Sequence, residues 1–122
     1  MEQDEKKTFI PVVDEATIED GRVIAILAYI TIIGFIIAVV LNNDKKNPFA
    51  YLHIRQALGI WLLGLVIGVV AVIPFLGLIV AMVGSILILV LWIVGLINAI
   101  GGKMKPVPIF GNFFEDLFKS IR

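Results

Sequence analysis

The sequence has no cysteine, only one histidine and few charged residues. The lack of cysteine excludes disulfides, thiolate metal sites and a cysteine nucleophile. One histidine cannot supply the paired histidines of a zinc-protease helix, and no two acids lie at membrane depth to form an aspartyl dyad. We therefore predict that the chain is not an enzyme and has no cofactor and no metal site. Its ten acids and ten bases cancel, which gives no reason to expect nucleic acid as a partner.

Apolar residues are abundant instead, because 60% of the 122 residues are hydrophobic and only 16% are charged. A soluble domain carries about 25% charged residues. The charges lie in patches separated by long uncharged stretches, as a bilayer requires, since a charge at its centre costs about 2.5–3.5 kcal/mol. The acidic N-terminus has no early apolar stretch and does not resemble a cleaved signal peptide. We expect an acidic flexible tail over residues 1–16 and one transmembrane helical domain over residues 17–122.

Three uncharged stretches predict an all-α membrane protein with transmembrane helices at about 20–41, 48–73 and 78–100. The first holds nineteen uncharged residues, Val23–Leu41, and as a helix is about 28 Å long, close to the ~30 Å hydrocarbon layer. Asn47 and Pro48 have the pattern of an N-cap and a first helical residue. The 46 uncharged residues 57–102 would make a helix of about 69 Å, so they must fold back, and Pro74 with Gly77 marks the turn.

A short amphipathic helix is predicted at about 113–121, because phenylalanine and leucine recur there at helical spacing between charged residues. It is too short and too charged to cross a bilayer and would lie in the interface. The candidate interfacial anchors are Lys103, Lys105, Phe113, Phe114 and Phe118. Docking of a partner protein is the alternative use of this aromatic face.

Three crossings would place the two chain termini on opposite sides of the membrane. The side that carries the 42–55 loop and the C-terminal tail holds seven lysines and arginines, and the other side holds three. The positive-inside rule then predicts a multi-pass protein of the inner or plasma membrane with its N-terminus outside and its C-terminus in the cytoplasm.

Two polar stretches carry a family resemblance. The first is Asn47-Pro48-Phe49-Ala50-Tyr51-Leu52-His53-Ile54-Arg55-Gln56-Ala57-Leu58, and the second is Gly95-Leu96-Ile97-Asn98-Ala99-Ile100 followed by Gly102-Lys103, Pro106, Pro108 and Gly111. Over residues 17–120 they resemble small bacterial membrane proteins of a domain family without assigned function. That family is similar to the channel-forming protein-import (Tic) component of the chloroplast inner envelope. The resemblance implies a pore or translocation role as one possibility, and it implies no catalytic residues.

Within these stretches, His53, Arg55 and Gln56 form a candidate polar cluster where the second helix enters the membrane. Its functional interpretation is a pore mouth or a partner interface, and its structural interpretation is anchoring at the lipid headgroups. Small residues at four-residue spacing would let helix backbones approach closely. These candidate helix-packing residues are Gly34, Ala38, Gly64, Gly68, Gly77, Ala81, Ser85, Gly95 and Ala99.

These features predict a small non-catalytic membrane protein that acts by helix-mediated association, either as a homo-oligomer or as a subunit of a membrane complex. Its expected partners are the lipid bilayer and other membrane proteins or copies of itself. A pore or protein-translocation element is the alternative. A lone chain in mild detergent would count against association, and the absence of flux through reconstituted protein would count against a pore.

Overall fold

The computed structural model describes residues 13–121, and that part of the chain is all α-helical, with no strand. Its five helices are α1 (Glu15–Ile30), α2 (Ile32–Lys45), α3 (Pro48–Val70), α4 (Leu76–Ile100) and α5 (Gly111–Leu117). The all-helical class is confirmed. Two of these helices, α3 and α4, are long and apolar enough to cross a membrane. The predicted tail over residues 1–16 falls mostly outside the described residues, and α1 already begins at Glu15.

The first predicted transmembrane helix, at about 20–41, is wrong as a single helix. Thr31 has extended dihedrals, φ −148° and ψ 170°, and separates α1 from α2. Its hydroxyl caps α2 by accepting a hydrogen bond of 3.0 Å from the Gly34 N–H, which is the role of an N-cap residue. The chain then folds back, because Lys45 at the end of α2 pairs with Asp20 near the start of α1 at 2.9 Å. The first apolar stretch is therefore a helical hairpin whose tip is at Thr31.

The C-terminal end of α1, next to the break at Thr31, is stabilised by the two tryptophans of the chain. The Trp61 indole of α3 donates to the Ala28 carbonyl at 3.2 Å, and the Trp92 indole of α4 donates to the Tyr29 carbonyl. The last carbonyls of a helix have no partner within the helix, and leaving them unpaired in lipid is costly. Both tryptophans thus pack against the interior of the bundle.

The α3–α4 pair forms the second hairpin. The predicted start of α3 is confirmed, because the Asn47 side chain accepts a 3.0 Å hydrogen bond from the Ala50 N–H and Pro48 is the first helical residue. Helix α3 ends three residues before the predicted position, and α4 begins two residues earlier than predicted. The residue before α4, Phe75, has a positive φ of 65° and lies 91% exposed at the turn.

Both hairpins have their open ends on the same side of the molecule. The Asn47 amide donates to the Thr17 carbonyl at 2.8 Å, and Gly102 lies against the Arg22 guanidinium. We call this side the charged end, formed by residues 14–22, 42–48 and 101–121. Because the start of α1 and the end of α4 meet there, the two ends of the described chain lie on the same side of the molecule, where three full-length helices would place them on opposite sides. The physical reason is the reversal at Thr31, which turns the first apolar stretch back on itself.

The outer surface of the helices away from the charged end is apolar. Val23, Leu65, Val69 and Ile86 are 72%, 63%, 63% and 66% exposed. In water such a surface would be an aggregation hazard, whereas in hydrocarbon it costs nothing. The buried side of the helices meets around Tyr29, Phe49 and Leu91, which are almost fully enclosed.

Replacing Trp92 with phenylalanine tests the broken end of α1. The ring is kept in part but the indole N–H is lost, so the Tyr29 carbonyl has no donor. We expect the free energy of unfolding in detergent to fall by about 1–3 kcal/mol, the cost of an orphaned buried polar group. Ile86→Ala on the outer surface is the control and should change it by less than about 0.5 kcal/mol. An equally small change for Trp92→Phe would contradict this role of the indole.

Candidate functional site

The polar cluster predicted from the sequence lies on the first turns of α3, and His53 is fully buried in it. One ring nitrogen, Nε2, lies 2.8 Å from the Lys103 carbonyl, and the other, Nδ1, lies 2.8 Å from the Tyr29 hydroxyl. A carbonyl only accepts, so Nε2 carries the hydrogen and donates it. In the neutral ring Nδ1 then accepts from Tyr29. His53 therefore joins α1, α3 and the chain that follows α4, and both nitrogens are in use.

Arg55 and Gln56 bind the same part of the chain. The Arg55 guanidinium donates to one Glu115 carboxylate oxygen at 2.8 Å and to the Ile121 carbonyl at 2.9 Å. The Gln56 amide donates to the Gly111 carbonyl at 2.9 Å and to Glu115, while its oxygen accepts from a backbone N–H. Arg55 and Glu115 are 12% and 7% exposed, so this is a buried ion pair with its hydrogen bonds satisfied.

We call residues 103–121 the C-terminal segment, and the cluster holds it against the start of α3. Asn98 adds a long contact from its amide to the Lys105 carbonyl, at 3.4 Å. Burial raises the pKa of the Glu115 carboxyl above its ordinary value, and the Arg55 guanidinium acts in the opposite direction. The side chains of the cluster form their hydrogen bonds with other groups of the same chain. This arrangement favours a structural role over a nucleophile or a water-lined mouth.

The C-terminal helix differs from its prediction. Helix α5 covers Gly111–Leu117 rather than 113–121, and Phe114 is buried against Gly59 of α3. A side chain at Gly59 would collide with the Phe114 ring, so the small residue is what lets the helix dock. Phe114 is therefore not a lipid anchor. The other predicted anchors keep accessible side chains: Phe113 is 59% exposed, Phe118 is half-buried, and Lys103 and Lys105 are exposed.

The predicted helix-packing residues divide into two sets. The first set packs within the chain: Gly34 and Ala38 are buried beside the Thr31 break, Gly77 is buried at the turn after Phe75, and Gly95 lies against the Tyr29 ring with Ala99 buried nearby. The second set faces outward, namely Gly64, Gly68, Ala81 and Ser85. A side chain added at Gly64 or Gly68 would meet no atom within 4 Å.

This second set lines an apolar groove of about 880 Å³ between α3 and α4. The groove exists because the α1–α2 hairpin ends at Thr31 and covers only part of the α3–α4 hairpin. Ile30 and Ile32 at the hairpin tip, with Trp61 and Trp92, form one side of it. Its lining is almost entirely hydrocarbon, so it offers an apolar packing surface.

Sequence reasoning missed several residues of these sites. Glu115 and Tyr29, the partners of the polar cluster, lie 60 and 24 residues away from Arg55 and His53 along the chain. Asn42, which is fully buried, exchanges two hydrogen bonds with the Asn47 backbone and fixes the turn between α2 and α3. Trp92, whose indole donates to the Tyr29 carbonyl, lies too far inside an apolar stretch for a residue of the interfacial belt, and this position was the one sequence signal for Tyr29.

Comparison with known proteins gives two matches. A family model described as the magnetosome magnetite crystal formation protein family matches residues 20–114. A UPF0132 membrane protein of Methanocaldococcus jannaschii is 31% identical over 78 residues, which are 63% of this chain. The match covers 56% of that protein's length, so the chain spans little more than half of it. No solved structure matches. Neither match is to the plastid import component that the polar stretches resemble.

Proposed function

The chain belongs to the magnetosome magnetite crystal formation protein family, and from that premise we propose a non-catalytic membrane protein that works by associating with copies of itself in the bilayer. One observation carries the proposal: the groove that the α1–α2 hairpin leaves open is lined by Gly64, Gly68, Ala81 and Ser85. Lipid tails are as apolar as leucine, so helices associate in membranes where small residues permit close backbone contact.

A second copy fits this groove better than the rest of the surface does. Large exposed side chains such as Val66 and Val69, which lie outside the groove, cover the neighbouring outward face of α3 and keep another helix at a distance. Gly64 and Gly68 form a GxxxG pair that no residue of the described chain covers. The hydroxyl of Ser85, exposed on α4, would find a hydrogen-bond partner in a paired copy.

Leucine at both Gly64 and Gly68 tests the association. We expect the wild-type chain to have the mass of a dimer or larger assembly in mild detergent and the Gly64→Leu/Gly68→Leu variant to have the mass of one chain. Disulfide formation in vesicles gives a second readout, because the chain has no cysteine and Ser85→Cys would report on a groove-to-groove contact. Val69→Leu, which enlarges a residue outside the groove lining, is the matched control.

A single-chain mass for the wild type would contradict the proposal. So would an assembly that the two leucines leave unchanged, since the small residues would then contribute nothing to it. Circular dichroism of each variant separates loss of association from loss of the helical fold.

The charged end gives the orientation that we propose. All seven lysines and arginines among residues 13–121 lie on it or, for Arg55, within three turns of it. The positive-inside rule then places this end in the cytoplasm of a cell whose inner or plasma membrane holds the protein. In this arrangement α1 begins, and the described chain ends, on the cytoplasmic side.

The family description names magnetite crystal formation, and we use it only as the cellular context of the proposal. Residues 13–121 contain no group of three or more His, Cys, Asp or Glu side chains placed to hold a metal ion. Our proposal for such a setting is that the chain supplies membrane-embedded association, with no cofactor. Any surface for mineral or for a mineral-binding partner would have to be identified separately, by cross-linking in native membranes.

A pore or translocation element stays the second candidate only through the resemblance of the polar stretches. The residues that suggested a pore are His53, Arg55 and Gln56. Their side chains hydrogen-bond to the C-terminal segment and do not line a water-filled channel in the described chain. Reconstituted protein that conducts ions or solutes, with the flux altered by Arg55→Ala, would favour this candidate over ours.

A further inference from the structure

Two turns of the chain share one sequence pattern and one geometry. In Pro74-Phe75-Leu76 and in Pro108-Ile109-Phe110, the middle residue has a positive φ, 65° and 69°. In each, the N–H of the third residue donates to the proline carbonyl, at 2.7 and 2.8 Å. These are γ-turns of the rare, strained kind that needs a positive φ. The same unusual turn therefore occurs directly before α4 and directly before α5.

The residue type at the centre of each turn is the opposite of what the backbone favours. Glycine adopts a positive φ without a steric penalty, whereas a β-branched residue such as Ile109 is an outlier there. Packing inside the protein does not offset the strain, since Phe75 is 91% exposed and Ile109 is 79% exposed. A large apolar side chain held outward at such a cost indicates a favourable contact outside the chain.

The position of Phe75 indicates which contact. Helix α4, which is uncharged and begins directly after Phe75, has 25 residues and rises about 37 Å, so Phe75 lies at the far side of a ~30 Å hydrocarbon layer from the charged end. No charged side chain lies in the turn, on α4 or on α3 from Ala57 onward, and Val72 and Leu78 are 80% and 67% exposed. The surface at Phe75 is thus continuous with the apolar outer surface of the helices.

The position of Ile109 is fixed by the docking of the C-terminal segment. Phe114 packs on Gly59, two residues into the uncharged part of α3, so the segment lies at the near boundary of the hydrocarbon layer. Ile109, Phe113 and Leu117 follow at four-residue spacing and are 79%, 59% and 56% exposed. A boundary segment with an apolar outward face is buried in the headgroup and acyl region.

We propose that the two γ-turns are lipid-contact sites that hold the molecule at both boundaries of the hydrocarbon layer. The backbone strain points Phe75 toward one boundary and Ile109 toward the other. The partner is the bilayer itself, at the level where headgroups meet acyl chains. This inference does not depend on self-association.

Glycine substitution separates the strain from the lipid contact. Phe75→Gly and Ile109→Gly relieve the backbone while removing the apolar side chain. In detergent we expect both variants to unfold at the same temperature as the wild type or higher. In phosphatidylcholine vesicles, a nitroxide on Val72→Cys or Phe113→Cys should lose collisions with oxygen and gain collisions with a water-soluble nickel chelate several-fold when the nearby turn residue becomes glycine.

Two further variants complete the design. Leu78→Ala removes an exposed apolar side chain from an unstrained helical position and should leave the nitroxide depth unchanged. Phe75→Asn keeps a side chain that tolerates positive φ but is polar, and it should move the label as glycine does. Unchanged collision rates in both glycine variants would overturn the proposal. So would cross-linking of residue 109 to another protein in vesicles, or lower stability of both the glycine and the asparagine variants in detergent.

Discussion

Replacing Arg55 with alanine is expected to lower the free energy of unfolding by about 3–5 kcal/mol. The substitution leaves the buried Glu115 carboxylate without its cation and removes the donor to the Ile121 carbonyl. The C-terminal segment should detach first, because Arg55 binds it at two places, Glu115 in α5 and the carbonyl of Ile121. Thermal unfolding in detergent, with limited proteolysis of the C-terminal segment, measures both effects.

The partner of the ion pair supplies the control. Glu115→Gln keeps an acceptor for Arg55 and for the Gln56 amide, and it should be milder than Arg55→Ala. The double variant Arg55→Ala/Glu115→Ala should lose less stability than the two single variants do in sum, because it removes both charges and leaves no unpaired charge buried. Additive losses would show that the two side chains do not act as a pair.

His53→Ala is the second substitution with a large expected effect, a loss of about 3–5 kcal/mol. It orphans two buried groups, the Tyr29 hydroxyl and the Lys103 carbonyl, and it opens a cavity beside Phe49, whose ring lies 4.8 Å from the imidazole between centroids. We expect it to loosen α1 and the C-terminal segment together, because His53 bonds to both. Unfolding in detergent and amide hydrogen exchange at α1 measure the change.

Tyr29→Phe separates the two bonds of His53. It removes only the hydroxyl, so it should cost about 1–3 kcal/mol and leave exchange in the C-terminal segment unchanged. His53→Ala and Tyr29→Phe with equal effects would mean that the contact with Lys103 contributes little. A loss below about 1 kcal/mol for His53→Ala would contradict the structural role of this histidine.

The α3–α4 hairpin could be predicted from sequence because its signals are local. Asn47 caps α3 with its own side chain, Pro48 is the first helical residue, and 46 uncharged residues are too long for one helix in a bilayer. Pro74 lies at the turn between them. Only the end of α3 and the start of α4 differ from the prediction, because an apolar sequence carries little information on where a helix ends.

The first helix could not be predicted in the same way. Nineteen uncharged residues satisfy the length of one membrane helix, and a single threonine within them does not distinguish a straight helix from two that fold back. The reversal depends on Thr31 as a cap and on Trp61 and Trp92, which come from distant parts of the chain. Asp20 and Lys45 lie outside the uncharged stretch, so its sequence gives no sign of the ion pair between them that closes the hairpin.

The polar cluster could be located from sequence but not interpreted. Three polar residues on an apolar helix were visible as His53, Arg55 and Gln56, while the residues that satisfy them follow 50 or more positions later, apart from Tyr29. The small residues had the same difficulty. Their spacing is alike in both sets, and only the tertiary fold shows that Gly95 is covered and Gly64 is open.

The arrangement of the helices as two hairpins with a common charged end is tested most directly by cysteine accessibility. The chain has no cysteine, so single cysteines at the exposed positions Ala16, Asp44 and Lys119 can each be labelled alone. In sealed membrane vesicles of known orientation, a membrane-impermeant maleimide should reach all three from the same side. Labelling of Ala16→Cys from one side and of Asp44→Cys and Lys119→Cys from the other would contradict the fold-back at Thr31 and restore three crossings.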